Sequence, residues 1–343
     1  MNLKRFFLGF CLLLVLILTG CHVRENPQDT VLKGRIGFAC KGSLFLVGYA
    51  DSIDKFLGKK STMDTATIDE NGNYRFVLHP QGPNIYDLKS ADSLWLPSIY
   101  ICPTNKLVIN FNEKNKDPRI DTSNLEGMYN DFRVKLTYKF FKENTVNQFY
   151  YIGANYITIN QFDTFVQGRK KQMIVFFDNY FKGQNISPDF KKYALAEINY
   201  QYGIDKMMYV WKHRIKNKDI IPDSAYYRDI TNKIYLENPD AMFGPAYYHY
   251  LNLYVNNIYG ESLVKNASRP EMNQKLFAEP IEKIEIAFYS LGLHYQDIVI
   301  CNIIAGEMSN TEYQRLKAAN SARTYQALLV WFEKKYKYQV TYK

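Results

Sequence analysis

The sequence predicts an α+β protein: a small antiparallel β-sandwich over residues 31–112, followed by an all-helical domain over residues 125–343. Three observations carry this. Up to Asn112, brief apolar runs alternate with polar residues and are separated by turn residues, the two-residue period of half-buried strands. From Leu125 onward, apolar residues recur at intervals of three and four, as on a helix with one buried face. Asn71-Gly72 and Ser187-Pro188-Asp189 supply a tight-turn signal in the first half and a helix-start signal in the second.

The first twenty residues read as an export signal. Lys4 and Arg5 form a short positive stretch, and Phe6 to Leu18 is almost unbroken apolar sequence, too short for a comfortable membrane span. Leu18-Thr19-Gly20-Cys21 then matches the lipobox of bacterial lipoproteins. The expected product starts at an acylated Cys21, with residues 21–30 as a polar tether; an ordinary signal peptide or an uncleaved anchor is the alternative. Each buried acyl methylene contributes about 0.8 kcal/mol, so the lipid holds the protein to a membrane. His22, not an aspartate, follows the cysteine, a pattern similar to Gram-negative lipoproteins sorted to the outer membrane. Val23 to Asp29 lacks the tight acidic run of some surface-exported lipoproteins, so a periplasm-facing position is expected.

Strands are expected at Val31–Ile36, Ser43–Tyr49, Asp64–Ile68, Tyr74–Leu78, Ile85–Lys89, Ser98–Cys102 and Leu107–Phe111. Asp69-Glu70-Asn71-Gly72-Asn73 predicts a hairpin between the third and fourth, because Asn-Gly adopts the positive φ angles of a tight turn. The same stretch faintly resembles a calcium loop but lacks a glutamate at the bidentate position. Residues 113–124, charged and carrying Pro118, are the expected linker.

Met128, Phe132 and Leu136 fit a first helix, and Phe162 to Tyr180 a second. Ser187-Pro188-Asp189 opens a third: serine caps free amides, proline suits the first helical position, and aspartate complements the positive dipole end. Its buried stripe is expected to hold Tyr193, Tyr200, Ile204, Met207 and Trp211. More helices are expected at 223–236, 243–258, 273–291, 295–306, 309–319 and 322–336. Tyrosine is abundant at 29 residues, and Tyr247, Tyr250 and Tyr254 crowd one helix. These three are candidate ligand-facing aromatics, although helix packing is the favoured reading of such spacing.

The formal charge is +9, and removal of the signal segment takes away Lys4 and Arg5. The lysines are scattered, with no run suited to nucleic acid, so a solvated surface is expected and no nucleic-acid partner. Of the five cysteines, Cys11 is cleaved off and Cys21 is lipidated, which leaves Cys40, Cys102 and Cys301. Cys40 and Cys102 share the β region and are a candidate disulfide; buried thiols are the other reading. Five separated histidines, with no H-E-x-x-H and no cysteine–histidine spacing suited to zinc, point to no metal site. There is no G-x-S-x-G, no phosphate-cradling glycine loop and no dinucleotide fingerprint, so no cofactor and no catalytic residues are assigned.

The order of pieces resembles the amino-terminal portion of TlpA-type thioredoxin-like disulfide-reductase lipoproteins. The resemblance rests on the lipobox; on Asp69, Asn71-Gly72 and Tyr74-Arg75-Phe76; on Ile99-Tyr100-Ile101-Cys102-Pro103 and Leu107 to Phe111; and on the helical stretches from Ile186 and Ile221. In that family a thioredoxin domain with a W-C-x-x-C site follows the helices. This chain has no C-x-x-C, so no catalytic residue is carried over. The expected function is therefore a non-catalytic, membrane-anchored binding or accessory module, with an envelope protein, peptide or small ligand as partner. An accessory of a periplasmic thiol–disulfide system that lacks its own thioredoxin domain is the alternative.

Overall fold

The computed structural model describes residues 29–38, 42–49, 62–91, 95–104, 106–112, 118–142, 158–216, 224–234, 236, 238–241, 244–266, 279–291 and, with gaps, 299–334. The described strands are β1 (Thr30–Arg35), β2 (Ser43–Gly48), β3 (Thr62–Thr67), β4 (Asn73–Leu78), β5 (Asn84–Ser90), β6 (Trp95–Ile101), β7 (Lys106–Asn110) and β8 (Arg119–Ile120). They form two four-stranded sheets, ordered β4-β1-β7-β8 and β3-β2-β5-β6. The alternation in the sequence decides which side chains turn inward. In β4, Tyr74, Phe76 and Leu78 are buried while Asn73, Arg75 and Val77 are exposed. Leu32, Tyr74, Phe76, Leu107 and Ile109 of the first sheet meet Leu44, Leu46, Leu88 and Ile99 of the second in a single core.

Two expectations about the strands are corrected. The first sheet is not wholly antiparallel, because β1 and β7 pair in parallel. Between β1 and β7 the chain lays down β4 on one side of β1 and all four strands of the second sheet, then crosses back to the other side of β1, where β7 runs parallel to it. The Asn71-Gly72 turn forms, with Gly72 at φ 83° and its amide donating to Asp69 O at 2.9 Å. It does not join two strands of one sheet: β3 pairs with β2, and β4 pairs with β1. The Gly72 carbonyl accepts from Ile36 N at 2.8 Å, which feeds the outgoing chain onto β1. A Cβ at Gly72 would stand 2.3 Å from Ile36 O. Within residues 113–124, Arg119–Ile120 is strand β8, paired with β7.

The described helices include α1 (Leu125–Thr137), α2 (Ile159–Tyr180), α3 (Pro188–Lys216), α4 (Ser224–Lys233), α5 (Pro245–Asn266), α6 (Pro280–Ser290) and α7 (Asn310–Ala318). A π-helical turn, Tyr138–Lys142, extends α1, and a 3-10 turn, Pro239–Ala241, precedes α5. Caps fix several starts: Asn124 Oδ1 accepts from Gly127 N at 2.8 Å, and Thr158 with Gln161 forms a capping box.

Two helical cores follow. In the first, Ile85 and Tyr100 of the second sheet meet Tyr129, Phe132, Phe177, Phe181, Phe190 and Tyr193. Tyr129 stacks on Phe190 with ring centroids 3.8 Å apart, and Tyr100 stacks on Tyr193 at 5.3 Å. The second core lies farther along α3 and joins Tyr200, Ile204 and Met207 to α5, α6 and α7. Of the expected α3 stripe, Tyr193, Tyr200, Ile204 and Met207 are buried; the Trp211 side chain lies outside the described residues. Among the described residues no helix is long and apolar enough to cross a membrane.

Candidate functional site

Strand order gathers basic side chains from distant parts of the chain. Residues 33 and 35 of β1 and residues 73 and 75 of β4 share a face, because alternate residues point the same way. The register sets Lys33 directly opposite Arg75 and Arg35 opposite Asn73. With Asn110 of β7 and Thr65 and Thr67 of β3, these residues line a groove of about 640 Å³. Arg35 is held in place: its amide donates to Asn110 Oδ1 at 2.9 Å, and its Nε donates to Asn71 O at 2.9 Å.

The groove has one lining carboxylate, Asp69, and the turn occupies it. Asp69 accepts from Asn71 N at 2.9 Å, Asn73 N at 2.8 Å and Asn73 Nδ2 at 2.9 Å. The Asn73 side chain and then its amide, with help from Asn71 and the nearby Arg35 charge, hold the Asp69 carboxyl below its usual range. Asp69 is thus a fixed anion serving the turn. The groove offers three cations and several amide and hydroxyl groups, a constellation that can hold a negatively charged partner.

A second cluster lies inside the helices. Arg169 of α2 pairs with Asp205 of α3, and both side chains are almost completely buried. Gln201 Nε2 donates to the other Asp205 oxygen at 2.9 Å, and the Arg169 guanidinium lies 5.0 Å from the Phe141 ring centre. One residue on, Lys206 is 1% exposed and bridges Asp163 of α2 at 2.8 Å and Asp229 of α4 at 2.6 Å. Adjacent residues on a helix point about 100° apart, so Asp205 and Lys206 address different neighbours. Every charge in the ladder faces an opposite one, which fixes the register of α2, α3 and α4.

No family model, curated protein or solved structure matches the chain.

The residues singled out by the sequence are dispersed. Cys21 and Leu18, Thr19 and Gly20 lie outside the described residues, as does Cys40. Cys102, which follows β6, is half-buried, and its carbonyl accepts from Thr30 Oγ1 at 3.1 Å. Tyr247, Tyr250 and Tyr254 are corrected as ligand-facing aromatics: they are 0%, 0% and 6% exposed and belong to the helical core. The Tyr247 hydroxyl donates to Leu236 O. Tyr250 packs against Tyr200 and over Gly203, where a Cβ would stand 2.6 Å from its ring. Their shared helical spacing marks a packing face. Among the described residues no group of three His, Cys, Asp or Glu side chains converges as metal ligands.

Sequence reasoning missed both clusters. The available signal for the groove was composition by strand: β1, β4, β7 and β8 carry five cations and no carboxylate. The signal for the ladder was Asp205-Lys206, set between Ile204 and Met207 in an otherwise apolar stripe.

Proposed function

We propose that this chain is an envelope lipoprotein, acylated at Cys21 and held at the outer membrane facing the periplasm, which binds an anionic partner rather than transforming a substrate. The observation that carries the reading is the Leu18-Thr19-Gly20-Cys21 sequence directly after a positively flanked apolar run. In this reading the two sheets sharing one core are a β-sandwich next to the membrane, and the helices after Leu125 are an all-α region carried on it. The basic groove supports a binding role, because its cations are presented at the surface while its carboxylate is occupied by a turn.

Mass spectrometry of the protein extracted from envelopes tests the anchor. The expected product starts at Cys21 and carries the mass of added acyl chains, and Cys21→Ser shifts the protein out of the membrane fraction. An unmodified peptide spanning residues 18–24 in the envelope protein overturns the reading.

A further inference from the structure

The two sheets differ in charge. The strands of the first carry Lys33, Arg35, Arg75, Lys106 and Arg119 and no carboxylate. Those of the second carry Asp64 and Asp87 against a single cation, Lys89. All five cations of the first sheet are exposed. Register and alternation put them on one face: Lys33 opposite Arg75, Lys106 beside Val31, and Arg119 opposite Asn110. Two of the described carboxylates bordering this sheet are tied to backbone amides: Asp69 serves its turn, and Asp121 accepts from Ser123 N at 2.9 Å. Asp29 lies 3.7 Å from His79, and Glu70 is exposed in the turn before β4, so the described border carries fewer carboxylates than the five cations of the face. Like charges directly opposite in an antiparallel pair are unfavourable. The Lys33–Arg75 pairing therefore fits a face that meets a negative surface.

The chain also limits where that face can go. Cys21 to Thr30 spans at most about 30 Å, and Thr30 is the first residue of β1, an inner strand of the basic sheet. We propose that the outer face of the first sheet docks on anionic lipid headgroups of the leaflet that holds the Cys21 anchor. The docked protein lies with its first sheet down and its second sheet turned away. This rests on the lipoprotein reading for the tether, while the charge asymmetry stands without it.

The test uses the intact acylated protein reconstituted into vesicles of phosphatidylcholine alone or with phosphatidylglycerol. Lysine acylation by a water-soluble reagent is read by mass spectrometry. Lys33 and Lys106 are expected to label several-fold more slowly on the anionic vesicles, with Lys89 unchanged. Protection should fade as salt rises from 0.1 to 0.5 M, because the Debye length shrinks below about 5 Å. Each cation at an anionic surface strengthens association about fivefold, so Lys33→Glu with Arg75→Glu should abolish protection at Lys106. Equal labelling of Lys33 on both vesicle types overturns the proposal. So does protection by a soluble anionic polysaccharide with none on anionic vesicles, which assigns the face to a glycan. The same digests report Cys21. If it is unmodified, the anchor reading fails separately, and docking is decided by cosedimentation: preference for anionic over neutral vesicles upholds it, and equal binding overturns it.

Discussion

Asn130 of α1 closes both open hydrogen-bonding groups of Tyr100 on β6: its Oδ1 accepts from Tyr100 N at 2.8 Å, and its Nδ2 donates to Tyr100 O at 2.8 Å. β6 is an edge strand, so these groups would otherwise be unpaired. Arg133, one turn on, donates to Ser98 O at 3.0 Å along the same edge. A carboxamide presents a donor and an acceptor at the spacing of a neighbouring strand, and α1 thereby substitutes for a fifth strand. Asn130→Ala leaves two buried backbone groups unpaired and should cost about 2–4 kcal/mol. Asn130→Asp keeps the shape but replaces the donor, and should also destabilise. Urea unfolding midpoints check both, and an Asn130→Ala variant as stable as the parent would refute this role.

The Arg169–Asp205 pair gives a different pattern. Arg169→Met leaves Asp205 buried and uncompensated, which should cost about 3–5 kcal/mol. Arg169→Met combined with Asp205→Leu removes both charges and should recover most of that loss. A double variant as unstable as the sum of the singles would contradict the account.

Gly34 has no room for a side chain. A Cβ there would lie 1.7 Å from Ile109 O, the same oxygen that accepts from the Tyr74 hydroxyl at 2.8 Å. Gly34→Ala should lose at least about 3 kcal/mol or fail to fold. Gly82, with nothing within 4 Å of its Cβ position, is the control, and Gly82→Ala should stay within about 0.5 kcal/mol of the parent.

Buried phenols make the protein sensitive to alkali. Burial pushes Tyr74, Tyr193 and Tyr250 well above their ordinary value of 10. The folded state retains protons that the unfolded chain releases. Stability is therefore full below about pH 10 and falls above it, by about 1.4 kcal/mol per pH unit for each such phenol. Absorbance titration should show the buried phenols ionising in a late cooperative step that coincides with loss of helical circular dichroism. One smooth curve covering all 29 tyrosines would argue against this.

Asp69 acts in the opposite direction. Its carboxyl is held low chiefly by the Asn73 side chain, so its support of the turn is complete above the ordinary carboxylate value of 3.8. That support is lost as pH falls through the lower folded-state value. The Asn71 and Asn73 amide resonances should shift together in that acid range, and Asp69→Asn should remove the coupled shift.

What the sequence made legible was local. Alternation located Tyr74, Phe76 and Leu78, and Ser187-Pro188 marked the start of α3, because both signals lie in neighbouring residues. The Asn71-Gly72 turn was legible, but its destination was not: whether β4 joins β3 or β1 depends on the Ile36–Gly72 bond, 36 residues apart. The groove was hidden for the same reason. Lys33 and Arg75 become neighbours only through strand order, and in sequence each is one cation among 43.

Helix α3 runs for 29 residues, about 43 Å of uninterrupted backbone. Phe190 and Tyr193 near its start are embedded in the aromatic core shared with the second sheet, and Ile204 and Met207 in the core of the later helices. A rod clamped at two points has no joint between them. A load placed on the sheets would be passed along this axle as torque, and the distal helices would swing with the sheets as one lever.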